Sequence, residues 1–265
     1  MASIIIDSHV HLYPVFSIEN ALQSSIQNFM SLEKNIPDSE KGALCRIWLL
    51  TERSDMHVFQ TLLDLDSSTF SAGPGRNNEC VYIYDNDTCV LTVFPGRQLI
   101  TADRLEICAL GCKIDLPDAH LSTRETILTV QNEGGIAAVN WAPGKWFGKR
   151  GKIVAALFDH FSPSELLISD TTMRPAVWPT PRLIKKARKQ GFQMLCGSDP
   201  LPFKGEEKWL GTYCTVTRGT WNDENPKQSL RKLLLHPDFP LKTYGTRSGL
   251  WSFTKRQYKI MKKNK

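Results

Sequence analysis

Apolar and polar positions along the chain fall into two rhythms. Residues 3–10 (SIIIDSHV) form a β-branched run that turns polar at its end, as a buried first strand does. Residues 17–32 follow helical spacing, with Ile18, Leu22, Ile26, Phe29 and Met30 on one stripe and Ser17 at the N-cap position. Residues 43–51 (ALCRIWLLT) predict a second strand and residues 55–65 a second helix. The rhythm then breaks. Residues 80–85 (CVYIYD) and 89–94 (CVLTVF) flank Asn86-Asp87-Thr88, and Pro95-Gly96 leads into 97–101. This segment predicts an antiparallel meander, preceded by a loop at Gly73-Pro74-Gly75.

After a strand at 104–110 the alternation resumes, with helices at 122–131, 152–161 and 181–190 and strands at 135–141, 166–170 and 192–197. Gly191 supplies the stop between the last helix and strand. Strands separated by helices point to an α/β fold, either a parallel barrel or a doubly wound sheet. Beyond residue 205 the pattern weakens. Residues 209–217 read as a strand or loop, 226–235 as a helix and 241–253 as an irregular closing segment.

Composition narrows the class without changing it. With 41% hydrophobic and 23% charged residues, the 265-residue chain has material for a sizeable core and is not expected to be disordered. No run of 18 uncharged apolar residues occurs and the first residues lack a basic leader, so a cytoplasmic protein with no membrane partner is expected. Seven cysteines without a CxxC pair read as free thiols in apolar surroundings.

The net charge of +6 is local. Residues 255–265 hold six cations (Lys255, Arg256, Lys259, Lys262, Lys263, Lys265) and no acid, leaving 27 of each sign before them. These residues are expected to form a solvated, frayed basic tail. Nucleic-acid binding through it ranks last among the functions considered, because Tyr258 alone interleaves with its cations and no reading motif appears.

The chemistry concentrates at two strand ends. Asp7-x-His9-x-His11 closes the first predicted strand, where alternate residues share a face, so two imidazoles line up as metal ligands with a carboxylate behind them to orient them. Leu195-Cys196-Gly197-Ser198-Asp199-Pro200 delivers Asp199 just past the last core strand, as a ligand or as acceptor of a water proton. An Asx-turn before Pro200 is the structural alternative for Asp199.

An HxH at the first strand and a GSD at a late one resemble the metal-dependent hydrolases of the amidohydrolase superfamily and, more closely, the PHP (polymerase and histidinol phosphatase) domains. The resemblance spans roughly residues 3–203 and is specific at its two ends. It implies a TIM-like, distorted β/α barrel of about seven strands over residues 1–205, with an inserted antiparallel β meander at 72–101 and a C-terminal extension at 206–254. It further implies that His9, His11, Glu106 and Asp199 hold one or two divalent ions (Zn, Mn or Fe). Glu106 and Asp199 are the catalytic carboxylates of that reading, and a metal-activated water is its nucleophile. The chain departs from the family where Arg53, Asn140 and Leu201 replace histidines. These losses leave either a reduced mono- or dinuclear site or a pocket that binds without catalysing.

The segment 140–152 (NWAPGKWFGKRGK) follows a strand, carries glycines and cations and precedes a helix, a composition suited to holding an anion. Asn140, Lys145 and Arg150 are therefore candidate contacts to a phosphate or carboxylate, and Asp170 and Arg174, after the next strand, are read at the same mouth. A solvated turn anchored by Trp141 and Trp146 is the alternative. His57, His120, His160 and His236 read as capping or surface residues. The expected function is hydrolysis of a small anionic substrate, a phosphoester among the possibilities, with a binding or protein-interaction module as the alternative.

Overall fold

The apolar runs do become strands, but they divide between two sheets. The computed structural model describes residues 1–40 and 42–263. In chain order the strands are β1 (Ala2–Val10), β2 (Ala43–Leu50), β3 (Phe70–Pro74), β4 (Val81–Asp85), β5 (Thr88–Phe94), β6 (Gly96–Ile100), β7 (Glu106–Leu110), β8 (Ile136–Asn140), β9 (Leu166–Thr171), β10 (Met194–Gly197), β11 (Tyr213–Gly219) and β12 (Lys242–Gly245). The helices are α1 (Ile18–Glu33), α2 (Val58–Leu63), α3 (Thr123–Asn132), α4 (Gly148–His160), α5 (Arg182–Lys189), α6 (Pro226–Leu235) and α7 (Leu250–Lys263).

One sheet runs β12-β11-β1-β2-β5-β4-β3 and the other β10-β9-β8-β7-β6, each mixing parallel and antiparallel pairs. This corrects the expected TIM-like barrel: among the described residues the strands form no closed ring. The meander is not an insertion either. β5 pairs in parallel with β2 inside the first sheet, while β6 opens the second. Antiparallel turns in this segment made it look peripheral in the sequence, yet its strands belong to both sheets, β4 and β5 inside the first and β3 and β6 at an edge of each.

The apolar alternation explains the layering. Ile4, Ile6, Ile47, Leu49 and Phe94 of the first sheet meet Cys108, Leu110, Ala138, Leu167 and Leu195 of the second, and Leu230, Leu233 and Leu234 of α6 close this inner core. Ile5, Trp48 and Val93 face outward onto α1 and α2 residues such as Leu22, Phe29 and Leu62. The second sheet packs Ile107, Val139 and Ile168 against Ile127 of α3, Val154 of α4 and Ile184 of α5. Ser17 caps α1 by accepting from Asn20 N, and Ser122 with Glu125 forms a capping box on α3.

Two glycines let the sheets approach each other. A Cβ on Gly197 would strike the backbone of His9, and one on Gly96 would strike the carbonyls of Leu50 and Ala109. Backbone bonds follow at both places: Asp199 N donates to His9 O at 2.9 Å, and Glu52 N donates to Gly96 O at 3.0 Å. The glycine of the GSD triplet is thus needed for close packing of β10 onto β1.

The expected basic tail is mostly helix. Residues 255–263 belong to α7, in which Arg256 is buried at 2% exposure while Lys255 and Lys262 stay exposed. Residues 264 and 265 lie outside the described residues. Among the described residues no helix is long and apolar enough to cross a membrane.

Candidate metal centre

The end of β1 is irregular, and the irregularity decides where its side chains point. Asp7 pairs with Trp48 and Val10 with Leu50, so three steps along β1 match two along β2. Such a bulge reverses the facing of everything beyond it. Ile5 and Val10 both face the α1 side, and the His9 Nδ1 lies 3.6 Å from Cys108 Sγ in the inner core. Asp7 consequently does not orient the imidazoles, as alternation along a regular strand predicted. Its carboxylate accepts from Ser198 N and Gly211 N, both at 2.8 Å, and so fixes the loop that carries Asp199. Burial lifts the Asp7 carboxyl to about 6, against these hydrogen bonds, which favour the anion.

His9, His11 and Asp199 converge. The two Nε2 atoms are 3.2 Å apart, and Asp199 Oδ1 lies 3.8 Å from His9 Nε2 and 3.7 Å from His11 Nε2. Three donors each about 2.1 Å from a shared tetrahedral ion stand about 3.4 Å apart, so these edges suit a divalent cation. Among the described residues this is the one group of three or more His, Cys, Asp or Glu side chains within metal-binding reach. Two neutral imidazoles and one carboxylate fit zinc, manganese or iron.

Asp199 has φ at 48°, a left-handed conformation that is uncommon outside glycine and that Asp adopts more readily than most residues. Thr171 Oγ1 donates to Asp199 Oδ2 at 3.0 Å, and Arg256 Nη2 donates to its backbone carbonyl at 2.7 Å. Arg256 also pairs with Glu206 at 2.8 Å and donates to Thr172 Oγ1 and Ser248 Oγ.

The two histidines titrate apart. Burial alone depresses both, but the Cys108 sulfur, Asp199 and Glu106 around His9 override it and raise His9 to about 10. His11 is pushed down to about 4 by burial and by its proximity to His9, with Asp199 opposing. Of the two, His9 is the imidazole whose surroundings favour a proton and His11 the one whose surroundings favour the neutral ring. Gln98 Oε1, 2.9 Å from His9 Nε2, is available as acceptor for its proton.

The other expected site residues are dispersed. Glu106 accepts from Asn140 Nδ2 at 2.9 Å and from Lys145 Nζ at 2.5 Å, which brings Glu106, Asn140 and Lys145 together but engages both carboxylate oxygens outside the three-ligand group. Arg150 donates to Gly144 O at 2.9 Å and ties the loop to itself. Asp170 and Arg174 form a buried two-pronged pair, with Tyr213 Oη donating to Asp170 at 2.9 Å. Arg53, in place of a ligand, turns to Asp55.

Sequence reasoning missed Gln98, Cys108, Thr171 and Arg256. A polar residue alternating with Leu99 and Arg97 along β6 was the available signal for Gln98, whereas Cys108 had none beyond its apolar neighbours.

No protein-family model matches this sequence, and no curated protein matches it. Solved structures do share the fold. PsfC from Pseudomonas syringae PB-5123 is 16% identical over 91% of this chain and 92% of its own, at a TM-score of 0.51. The lesion-specific endonuclease PfuEndoQ from Pyrococcus furiosus is 12% identical over 90% of this chain and 57% of its own, at 0.53. A two-domain protein containing a predicted PHP-like metal-dependent phosphoesterase, from Bacteroides vulgatus, is 14% identical over 92% of this chain and 65% of its own, at 0.49. The overall fold is thus shared with solved structures, and on it His9, His11 and Asp199, far apart in the sequence, form a single cluster.

Proposed function

We propose that this chain is a metal-dependent hydrolase of phosphoesters that holds a single divalent ion between His9, His11 and Asp199. The convergence of three donor atoms at 3.2 to 3.8 Å is the observation that supports it. A divalent ion bound there supplies Lewis acidity toward a phosphoryl oxygen and makes water a better nucleophile at neutral pH.

The chain's own residues define the rest. Thr171 and Arg256 aim Asp199 before the ion arrives, so its position needs no reorganisation. Lys145 places an ammonium on Glu106, filling with a fixed positive charge the place where a carboxylate would recruit a second ion. That argues for one ion rather than two. Lys145, part-exposed where it meets Glu106, is also the cation we assign to a phosphate oxygen of the substrate. Because one neighbour in fold is an endonuclease, a nucleic-acid phosphodiester belongs among the substrates tested.

A second reading, a pocket that binds an anion without catalysing, is favoured by the engagement of Glu106 by Lys145 and by Arg53, Asn140 and Leu201 at family ligand positions. Metal analysis of purified and reconstituted protein, alongside hydrolysis of a chromogenic phosphomonoester and phosphodiester, separates the two. The hydrolase reading expects about one equivalent of metal per chain, and turnover lost in His9→Ala. Absence of retained metal after reconstitution overturns it.

A further inference from the structure

Helix α7 reads LWSFTKRQYKIMKK and contains no acid. Helical spacing of i, i+4, i+7 and i+11 puts Trp251, Lys255, Tyr258 and Lys262 on one stripe. All four are exposed, Trp251 at 86% and Tyr258 at 62%. An indole, an ammonium, a phenol and a second ammonium therefore alternate along one line, with the two rings about 10 Å apart at 1.5 Å per residue.

A second wall faces this helix. Lys204, Lys208 and Trp209 lie across from it, and together they enclose a groove of about 920 Å³. Glu206 is the acid lining this groove among the described residues, and its carboxylate is neutralised by Arg256 at 2.8 Å. The remaining side-chain charges are positive. Arg256, whose other nitrogen donates to the Asp199 carbonyl, connects the wall of the groove to the metal centre.

A groove of this make-up fits a polymer that carries one negative charge and one flat apolar face per unit. Single-stranded nucleic acid does both: its phosphates follow the lysines while its bases stack on the rings. A helix lying on a membrane separates its apolar and cationic faces and is convex. Here rings and cations share one stripe, and the surface is concave.

The geometry points to a single-stranded nucleic-acid groove between α7 and residues 204–209 that leads a phosphodiester to the His9, His11 and Asp199 cluster. The delivery to that cluster rests on the hydrolase reading; the binding does not. The test uses the full chain in chelator, so that binding is measured without hydrolysis. Fluorescence anisotropy with a labelled thymidine oligonucleotide should show binding that weakens about tenfold in Trp251→Ala and again in Tyr258→Ala, because each removes a stacking platform. Lys255→Gln and Lys208→Gln, one on each wall, should each flatten the dependence of log affinity on log salt by about 0.7.

No binding of the oligonucleotide, or binding unchanged in the ring variants, overturns the groove. So does a pattern in which the α7 variants lose affinity for phosphatidylserine vesicles and not for the oligonucleotide. Circular dichroism on each variant checks that these exposed substitutions leave the fold intact. An oligonucleotide that binds but is not cut when metal is supplied leaves the groove standing and counts against the hydrolase reading. Cleavage of a chromogenic diester without any oligonucleotide binding does the opposite.

Discussion

Two buried polar corners sit at neighbouring strand ends, and they differ in whether their charges are answered. At the end of β9, Asp170 meets the Arg174 guanidinium through both oxygens and also accepts from Tyr213, so the carboxylate is compensated from within the protein. At the end of β1, two imidazole nitrogens and a carboxylate oxygen face one another at 3.2 to 3.8 Å with Gln98 as their polar neighbour. The first arrangement is complete within the chain; the second is the one to which the hydrolase reading assigns a cation. Residue type alone made the two look alike, since both place an Asp just after an apolar strand. What separates a structural pair from a binding site is whether the partner is covalently part of the chain.

The contrast breaks most visibly in stability. Arg174→Ala leaves Asp170 buried and unpaired and is expected to cost about 3–5 kcal/mol, read by denaturant unfolding, with metal content per folded chain unchanged. Asp199→Ala is expected to do the reverse: metal affinity falls at least about 100-fold, while the metal-free protein loses less stability than Arg174→Ala does. If both variants lost metal and stability in equal measure, the corners would not be different in kind.

A smaller effect sharpens the one-ion reading. Lys145→Met frees Glu106 from its ion pair and is expected to raise the metal equivalents retained per chain above those of the parent, measured by elemental analysis at matched free metal. No rise would mean that Lys145 does not exclude a second ion.

The pH dependence follows from the split histidines. His9, raised to about 10, adds stability to the metal-free fold that is complete below its ordinary value near 6.5 and is lost as pH climbs through 10. His11, lowered to about 4, adds stability that is present above about 6.5 and is lost as pH falls toward 4. Between about pH 6.5 and 9 one proton therefore has to leave His9 when metal enters, and apparent affinity should rise about tenfold per pH unit. Isothermal titration in buffers of different ionisation enthalpy counts that proton; two protons released would show that His11 also starts charged. A last variant probes the group beside His9. Cys108→Ala removes the sulfur next to His9 Nδ1, the largest of the influences that raise its pKa, and is expected to ease proton loss and strengthen metal binding at fixed pH, read by titration against the parent.

His9, His11 and Asp199 were legible because their chemistry sits next to apolar runs of unmistakable strand character. Ser17 and Ser122 at helix starts were legible for a similar local reason. Asp7 was misplaced because a bulge is a register event between two strands, and no property of residues 7–10 alone reports it. The barrel failed for a related reason. Period and spacing identify strands, but whether β5 and β6 share a sheet depends on Pro95-Gly96 and on how closely Gly96 lets the chain pass Leu50. Asp170 and Arg174 were read as substrate contacts at one mouth, and only the folded geometry shows that they satisfy each other. Arg256 was hidden by its company, since a lysine-rich segment looks solvated until one of its cations is found buried against Glu206.

That buried arginine joins distant parts of the chain in time as well as in space. His9 and His11 precede Arg256 in the chain, and the carbonyl of Asp199 has no guanidinium to hold it until α7 has emerged. The supported form of the corner therefore assembles only after α7 is made. In the hydrolase reading, ion capture would then act as a checkpoint on folding, favouring chains in which β1 and α7 have already found each other.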